Sequence, residues 1–147
     1  MKTKKKLVYI ALTADSLHHG HMKLLETARK YGDITIGLIT DEAVAEYKRL
    51  PVLNYEQRKK ILINFKGVTN IIPQKEWDYS NNIKKIKPDF LVHGDDWKTG
   101  YMSKMRNNVQ KILKSYGGKL IEVPYTKGVS SSALIKSNNS LTITPDI

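Results

Sequence analysis

The sequence contains no cysteine. That absence excludes disulfides, thiolate metal sites and a cysteine nucleophile, and it fits a cytoplasmic protein. Long apolar runs are also missing, and none approaches the ~18 residues needed to cross a bilayer. The Lys-rich start, Met1 to Lys6, is not followed by a secretory apolar region and cleavage site. A cytoplasmic location with no membrane partner is therefore expected. Acidic residues are scarce, 14 against 25 Lys and Arg, for a formal net charge of +11. Such a surface attracts anions, and nucleic acid is one possibility. Few aromatics are interleaved with the lysines, however, which are spread along helical faces. No nucleic acid partner is expected, and an enzyme that handles phosphates is the simpler reading.

At 147 residues the chain suits one domain with a core and is too short for two ordinary ones. Apolar runs with strand character lie at Leu7–Leu12, Ile34–Ile39, Val68–Ile72, Phe90–His93 and Lys119–Val123. Helical spacing predicts helices at His21–Tyr31, Asp41–Tyr47, Tyr55–Phe65, Ser80–Ile86 and Ser103–Tyr116, with Gly32, Pro88 and Gly117-Gly118 as stops. Near-continuous apolar strands alternating with helices predict an α/β fold. The expected architecture is a Rossmann-like three-layer sandwich with a five-stranded, mainly parallel sheet. The domain is expected over residues 1–136, followed by a polar tail or linker over 137–147.

Open α/β sheets bind ligands at the carboxyl ends of their strands. Four segments fall there. After the first strand comes Thr13-Ala14-Asp15-Ser16-Leu17-His18-His19-Gly20-His21. Imidazole N–H donors at His18 and His21 suit the charge that develops in nucleotidyl transfer. Gly20 lets backbone approach phosphate, and the following helix N-terminus adds its dipole. A pair of surface or capping histidines is the plainer alternative, and a zinc pair finds no further ligands nearby. Asp15 either caps this turn or orients it, and Thr13 carries a hydroxyl that suits phosphate. Lys48 and Arg49, before Leu50-Pro51, read either as a solvated charge pair or as a mobile cation over the site. Gly94-Asp95-Asp96-Trp97 ends the fourth strand; one carboxylate suits ribose or base, and Trp97 either packs over the site or closes the core. After the fifth strand, Gly128-Val129-Ser130-Ser131-Ser132 reads as a helix N-cap or a phosphate loop. Arg58 lies in a basic helical run whose spacing alone suggests a solvated face. Lys104, Arg106 and Lys127 are further cations for an anionic acceptor.

Over roughly residues 7–136 these segments resemble the cytidylyltransferase family. Its G-T-F-D-x-x-H-x-G-H appears as Leu12–His21, Y-E-x-R-K as Tyr55–Lys59, and G-D-D-W as Gly94–Trp97. Its R-T-E-G-I-S-T-T appears as Tyr125–Ser132, with Tyr125 in place of arginine and Lys127 in place of glutamate. One branch looks most similar: the nucleotidyltransferase domain joined to phosphoenolpyruvate mutase in phosphonate biosynthesis. Thr144-Pro145-Asp146-Ile147 resembles the hinge into that mutase, so the chain is expected to be a domain of a bifunctional protein.

The resemblance implies CMP transfer from CTP to a phosphonate such as 2-hydroxyethylphosphonate, with pyrophosphate released. Phosphomonoester acceptors (glycerol-3-phosphate, phosphocholine, phosphoethanolamine) and a non-catalytic CTP-binding module are the alternatives. It implies catalytic roles for His18, His21 and Lys48. Nucleotide contacts are implied for Thr13, Ala14, Asp15, Gly20, Asp95, Trp97, Tyr125, Thr126, Gly128, Ser130, Ser131 and Ser132, and acceptor contacts for Arg58 and Lys127. Mg²⁺ is expected on the CTP triphosphate, with no protein side chain as metal ligand. A homodimer is implied as well.

Overall fold

A computed structural model of the chain describes residues 5–47, 49–98, 100 and 102–124. Strands and helices alternate in the order β1 (Leu7–Leu12), α1 (His19–Arg29), β2 (Asp33–Ile39), α2 (Asp41–Tyr47), α3 (Tyr55–Leu62), β3 (Val68–Gln74), α4 (Ser80–Ile86), β4 (Phe90–Gly94), a 3₁₀ turn (Asp95–Trp97), α5 (Ser103–Tyr116) and β5 (Lys119–Val123). The sheet order is β3-β2-β1-β4-β5, and every pairing is parallel. The expected Rossmann-like α/β sheet is thus present, and it is wholly rather than mainly parallel.

The apolar runs are near-continuous because the central strands are covered on both faces. Alternate residues of β1 point to opposite sides. Val8 and Ile10 join Leu25, Ile36 and Leu62 in one core layer. Tyr9 joins Ile83, Leu91, Trp97, Val109 and Leu113 in the other. Tyr9 also explains Gly37 in β2, where a Cβ would sit 1.8 Å from the Tyr9 hydroxyl. That hydroxyl donates to Gln74 Oε1 and accepts from Asn82 Nδ2 at 3.0 Å.

Several boundaries differ from expectation. Helix α1 spans His19–Arg29 rather than His21–Tyr31, because His18 caps its start. Gly32 is not the stop: the cap is Lys30, and Gly32 instead packs so closely that a Cβ would lie 2.2 Å from the Lys6 carbonyl oxygen. Helix α3 ends at Leu62 rather than Phe65. Strand β3 runs on through Pro73 to Gln74, which its position at the sheet edge permits. Among the described residues no helix is long and apolar enough to cross a membrane.

Candidate active site

The chain leaves β1 toward α1 and β2 on one side of the sheet, then returns to the other side of β1 with β4. The carboxyl ends of β1 and β4 therefore flank the topological switch point, where such sheets open a ligand crevice. The Thr13–His18 loop lies on one flank and Gly94–Trp97 on the other. Ala14 turns the loop with φ +56°, a left-handed conformation that costs a residue with a Cβ roughly 1 kcal/mol or more.

The two motif histidines hold each other in place. His18 is the N-cap of α1, and its Nδ1 accepts the Gly20 N–H at 3.0 Å. His21 Nδ1 accepts the His18 N–H at 3.1 Å. The rings lie 4.1 Å apart between centroids. The capping reading and the catalytic one are therefore not exclusive. Because each Nδ1 is an acceptor, each neutral ring must carry its proton on Nε2. Burial, then the neighbouring His19, lowers the His18 pKa. Burial, then His18, lowers that of His21 to about 4. Near pH 7 the pair is thus two neutral Nε2–H donors. Helix α1 has no acidic residue in its first turn, so its positive end stays uncompensated for an anion. Gly20 acts by leaving room: a Cβ there would sit 2.7 Å from His18 Cε1.

Asp15 clasps the segment that follows α2. Its carboxylate accepts the Val52 N–H at 2.7 Å and pairs with Arg49 Nη1 at 2.8 Å. This brings the stretch after Lys48 against the histidine loop. Among the two cations read together there, Arg49 is paired with Asp15, and Lys48 lies outside the described residues.

Arg58, expected on the acceptor side or on a solvated face, is instead fully buried. Its guanidinium donates to the carbonyl oxygens of Thr13 (2.6 Å), Ile39 (2.8 Å) and Leu53 (3.0 Å), and to Asp41 Oδ1 (2.7 Å). It joins the ends of β1 and β2 to the starts of α2 and α3, and so anchors the backbone where the histidine loop leaves β1. Trp97, expected against the nucleotide, is also fully buried. It stacks on His93 at 3.7 Å and donates to Glu122 Oε2 at 2.9 Å. Its alternative, closing the core, is the one the packing supports. Asp95 opens the same turn half-buried.

Arg106 is engaged by both oxygens of Glu122, at 2.7 and 3.0 Å. That pairing holds the Glu122 carboxyl below the usual range. Asp41 and Glu122 were missed in the sequence reading. The available signal for Glu122 was a lone acid inside the otherwise apolar Leu120-Ile121-Glu122-Val123. Tyr125, Thr126, Lys127, Gly128, Ser130, Ser131 and Ser132 lie outside the described residues. Among the described residues, no cluster of three or more His, Asp or Glu is placed to hold a metal ion.

Known proteins resemble this chain in sequence and in fold. A cytidylyltransferase-like family model aligns with residues 13–137. The chain is 37% identical over 131 residues to glycerol-3-phosphate cytidylyltransferase of Bacillus spizizenii, covering 88% of this chain and 94% of the relative. It is 32% identical over 130 residues to ethanolamine-phosphate cytidylyltransferase of Dictyostelium discoideum, covering 87% of this chain and 35% of the relative. The fold resembles that of a lipopolysaccharide core biosynthesis protein from Thermoplasma volcanium, with TM-score 0.66 at 22% identity, over 84% of this chain and 98% of the other. With the family model spanning the histidine loop, the switch-point crevice and most of the chain, the protein belongs to the cytidylyltransferase-like family of nucleotidyltransferases.

Proposed function

We propose that the chain transfers CMP from CTP to a small phosphate-ester acceptor. A phosphate oxygen of the acceptor attacks the α-phosphorus in line. The bond from that phosphorus to the bridging oxygen breaks, and pyrophosphate leaves with the electron pair. The supporting observation is the locked tautomer of His18 and His21 at the uncompensated start of α1. Neutral Nε2–H donors held in place beforehand stabilise the charge gained by the phosphate oxygens as the bridging bond breaks.

For Thr13, Ala14 and Asp95 the remaining roles rest on position, and for Lys48, Thr126, Gly128 and Ser130–Ser132 they rest on the sequence motifs. Thr13 and the backbone of Ala14 border the triphosphate, and Asp95 faces the nucleoside across the crevice. Thr126, Gly128 and Ser130–Ser132 contribute N–H and hydroxyl donors to the phosphates. Lys48 supplies a cation from the segment that Asp15 anchors. A Mg²⁺ ion carried by CTP would neutralise phosphate charge.

Glycerol-3-phosphate is the first acceptor to test, since a relative named for it is 37% identical. A phosphonate such as 2-hydroxyethylphosphonate is the second reading. It is favoured by Tyr125 and Lys127, where the last family signature has arginine and glutamate. Pyrophosphate release from CTP with Mg²⁺ decides between them, measured against glycerol-3-phosphate, phosphocholine, phosphoethanolamine, 2-hydroxyethylphosphonate and 2-aminoethylphosphonate. Turnover with a phosphate ester alone supports the first reading, and turnover with a phosphonate alone supports the second. No release with any acceptor would overturn both.

A further inference from the structure

We propose that the sheet edge opposite the histidine loop docks on an anionic lipid bilayer. In a parallel sheet all strands begin at one edge, and here every strand entry carries an exposed lysine. Lys6 precedes β1, Lys30 precedes β2, Lys66 precedes β3, Lys87 precedes β4, and Lys119 opens β5.

These junctions form one continuous surface. The Asp33 N–H donates to the Lys6 carbonyl oxygen at 2.9 Å. Arg29 Nη1 reaches the Lys66 carbonyl oxygen at 3.4 Å. The Lys119 N–H donates to the Asp89 carbonyl oxygen at 3.0 Å, and the Asp89 carboxylate accepts the Leu7 N–H at 2.8 Å. Lysines in last helical turns, such as Lys85 and Lys114, answer the helix dipole. Lys30 and Lys87 are the C-caps of α1 and α4, where the dipole also favours a cation, but Lys6, Lys66 and Lys119 lie outside the helices and their caps, so that explanation does not cover them. Of the acids at this edge, Asp33 already pairs with Lys5 at 3.6 Å. Asp15, Asp41, Asp95, Asp96 and Glu122 all sit toward the other end of the strands. The net charge is therefore polarised along the strand direction. The linear sequence hid this, and with it the reason to reconsider a membrane partner.

The composition of the edge favours lipid over nucleic acid. Its cations are almost all lysines, which act as point charges and lack the bidentate fork used to read phosphate and bases. Apolar groups are interspersed: Tyr31 is 37% and Ile63 43% exposed. An open groove of ≈ 480 Å³ is lined by Leu113, Leu120 and Ile121 together with Lys114 and Lys119. Lysines with exposed aromatic and aliphatic groups suit a headgroup region. Docked this way, the crevice at the opposite edge faces solvent.

The test is sedimentation of the full chain with phosphatidylcholine vesicles, with or without phosphatidylglycerol. Binding is expected only with phosphatidylglycerol and should be lost at high salt. Lys30→Glu/Lys87→Glu should weaken binding about tenfold or more. Lys23→Glu/Lys75→Glu changes net charge equally at the other edge and should bind like the parent. Amine labelling of the unaltered protein provides a second measurement, with bound vesicles protecting Lys30, Lys66 and Lys87 but not Lys23 or Lys75. No sedimentation with phosphatidylglycerol vesicles, equal loss in both double variants, or stronger binding to a short RNA duplex than to vesicles would overturn the proposal.

Discussion

The Nδ1 atom of His21 accepts the backbone N–H of His18, and this single contact decides which nitrogen of His21 faces outward with a proton. The capping contact and the proposed catalytic donor are opposite ends of one imidazole. Burial lowers the His21 pKa to about 4 from an ordinary 6.5.

A pH dependence follows. The depressed folded pKa favours the neutral ring, so its contribution to stability is complete above pH ~6.5 and is lost as pH falls from there toward ~4. Urea unfolding at several pH values should show this loss, and part of it should be absent in His21→Asn. In activity, no acidic limb centred near 6.5 should arise from this residue. A kcat limb at that pH, abolished in His21→Asn, would show that the charged ring is the working form.

Gly20→Ala should separate catalysis from folding. The added Cβ would sit 2.7 Å from His18 Cε1 and displace that ring. Alanine gains up to ~1 kcal/mol over glycine in a helix, and losing the His18 cap costs about as much, so stability should change little. Turnover should fall about 10²-fold. Unchanged turnover would mean that the seat of His18 is not critical.

Arg58→Ala should cost ~3–5 kcal/mol of stability, because Asp41 and three carbonyl groups lose their shared partner. Arg58→Lys keeps the charge but not the planar fork, and should also destabilise. Denaturant unfolding checks both. A stable Arg58→Lys variant with only a raised acceptor KM would restore the ligand-side role.

Trp97→Phe should lose the hydrogen bond to Glu122, about 2 kcal/mol for a bond to a charged acceptor, while CTP affinity stays unchanged. Calorimetric titration with CTP distinguishes this from a nucleotide-stacking role, which would weaken binding.

The fold was legible where one periodicity dominated. Strands β1 and β5 and helices α2, α4 and α5 begin and end at the expected residues. Misreadings arose where tertiary contacts override local pattern. Gly32 looked like a helix stop but answers the Lys6 carbonyl group across the sheet edge. Arg58 looked solvated because its neighbours Lys59 and Lys60 are basic; only the meeting of three carbonyl groups and Asp41 from separate segments explains its burial. The histidine motif was visible as spacing. The tautomer it enforces was not, because that depends on which backbone N–H groups the cap turns toward Nδ1.

The most direct measurement is the kcat of His21→Asn set against its CTP dissociation constant. Asparagine places an acceptor near the Nδ1 position, so the His18 N–H keeps its partner while the Nε2–H donor is removed. The expected result is a loss of about 10²–10³ in kcat with CTP affinity and unfolding midpoint nearly unchanged. Equal losses in kcat and CTP affinity, or full activity, would contradict a transition-state role for this imidazole.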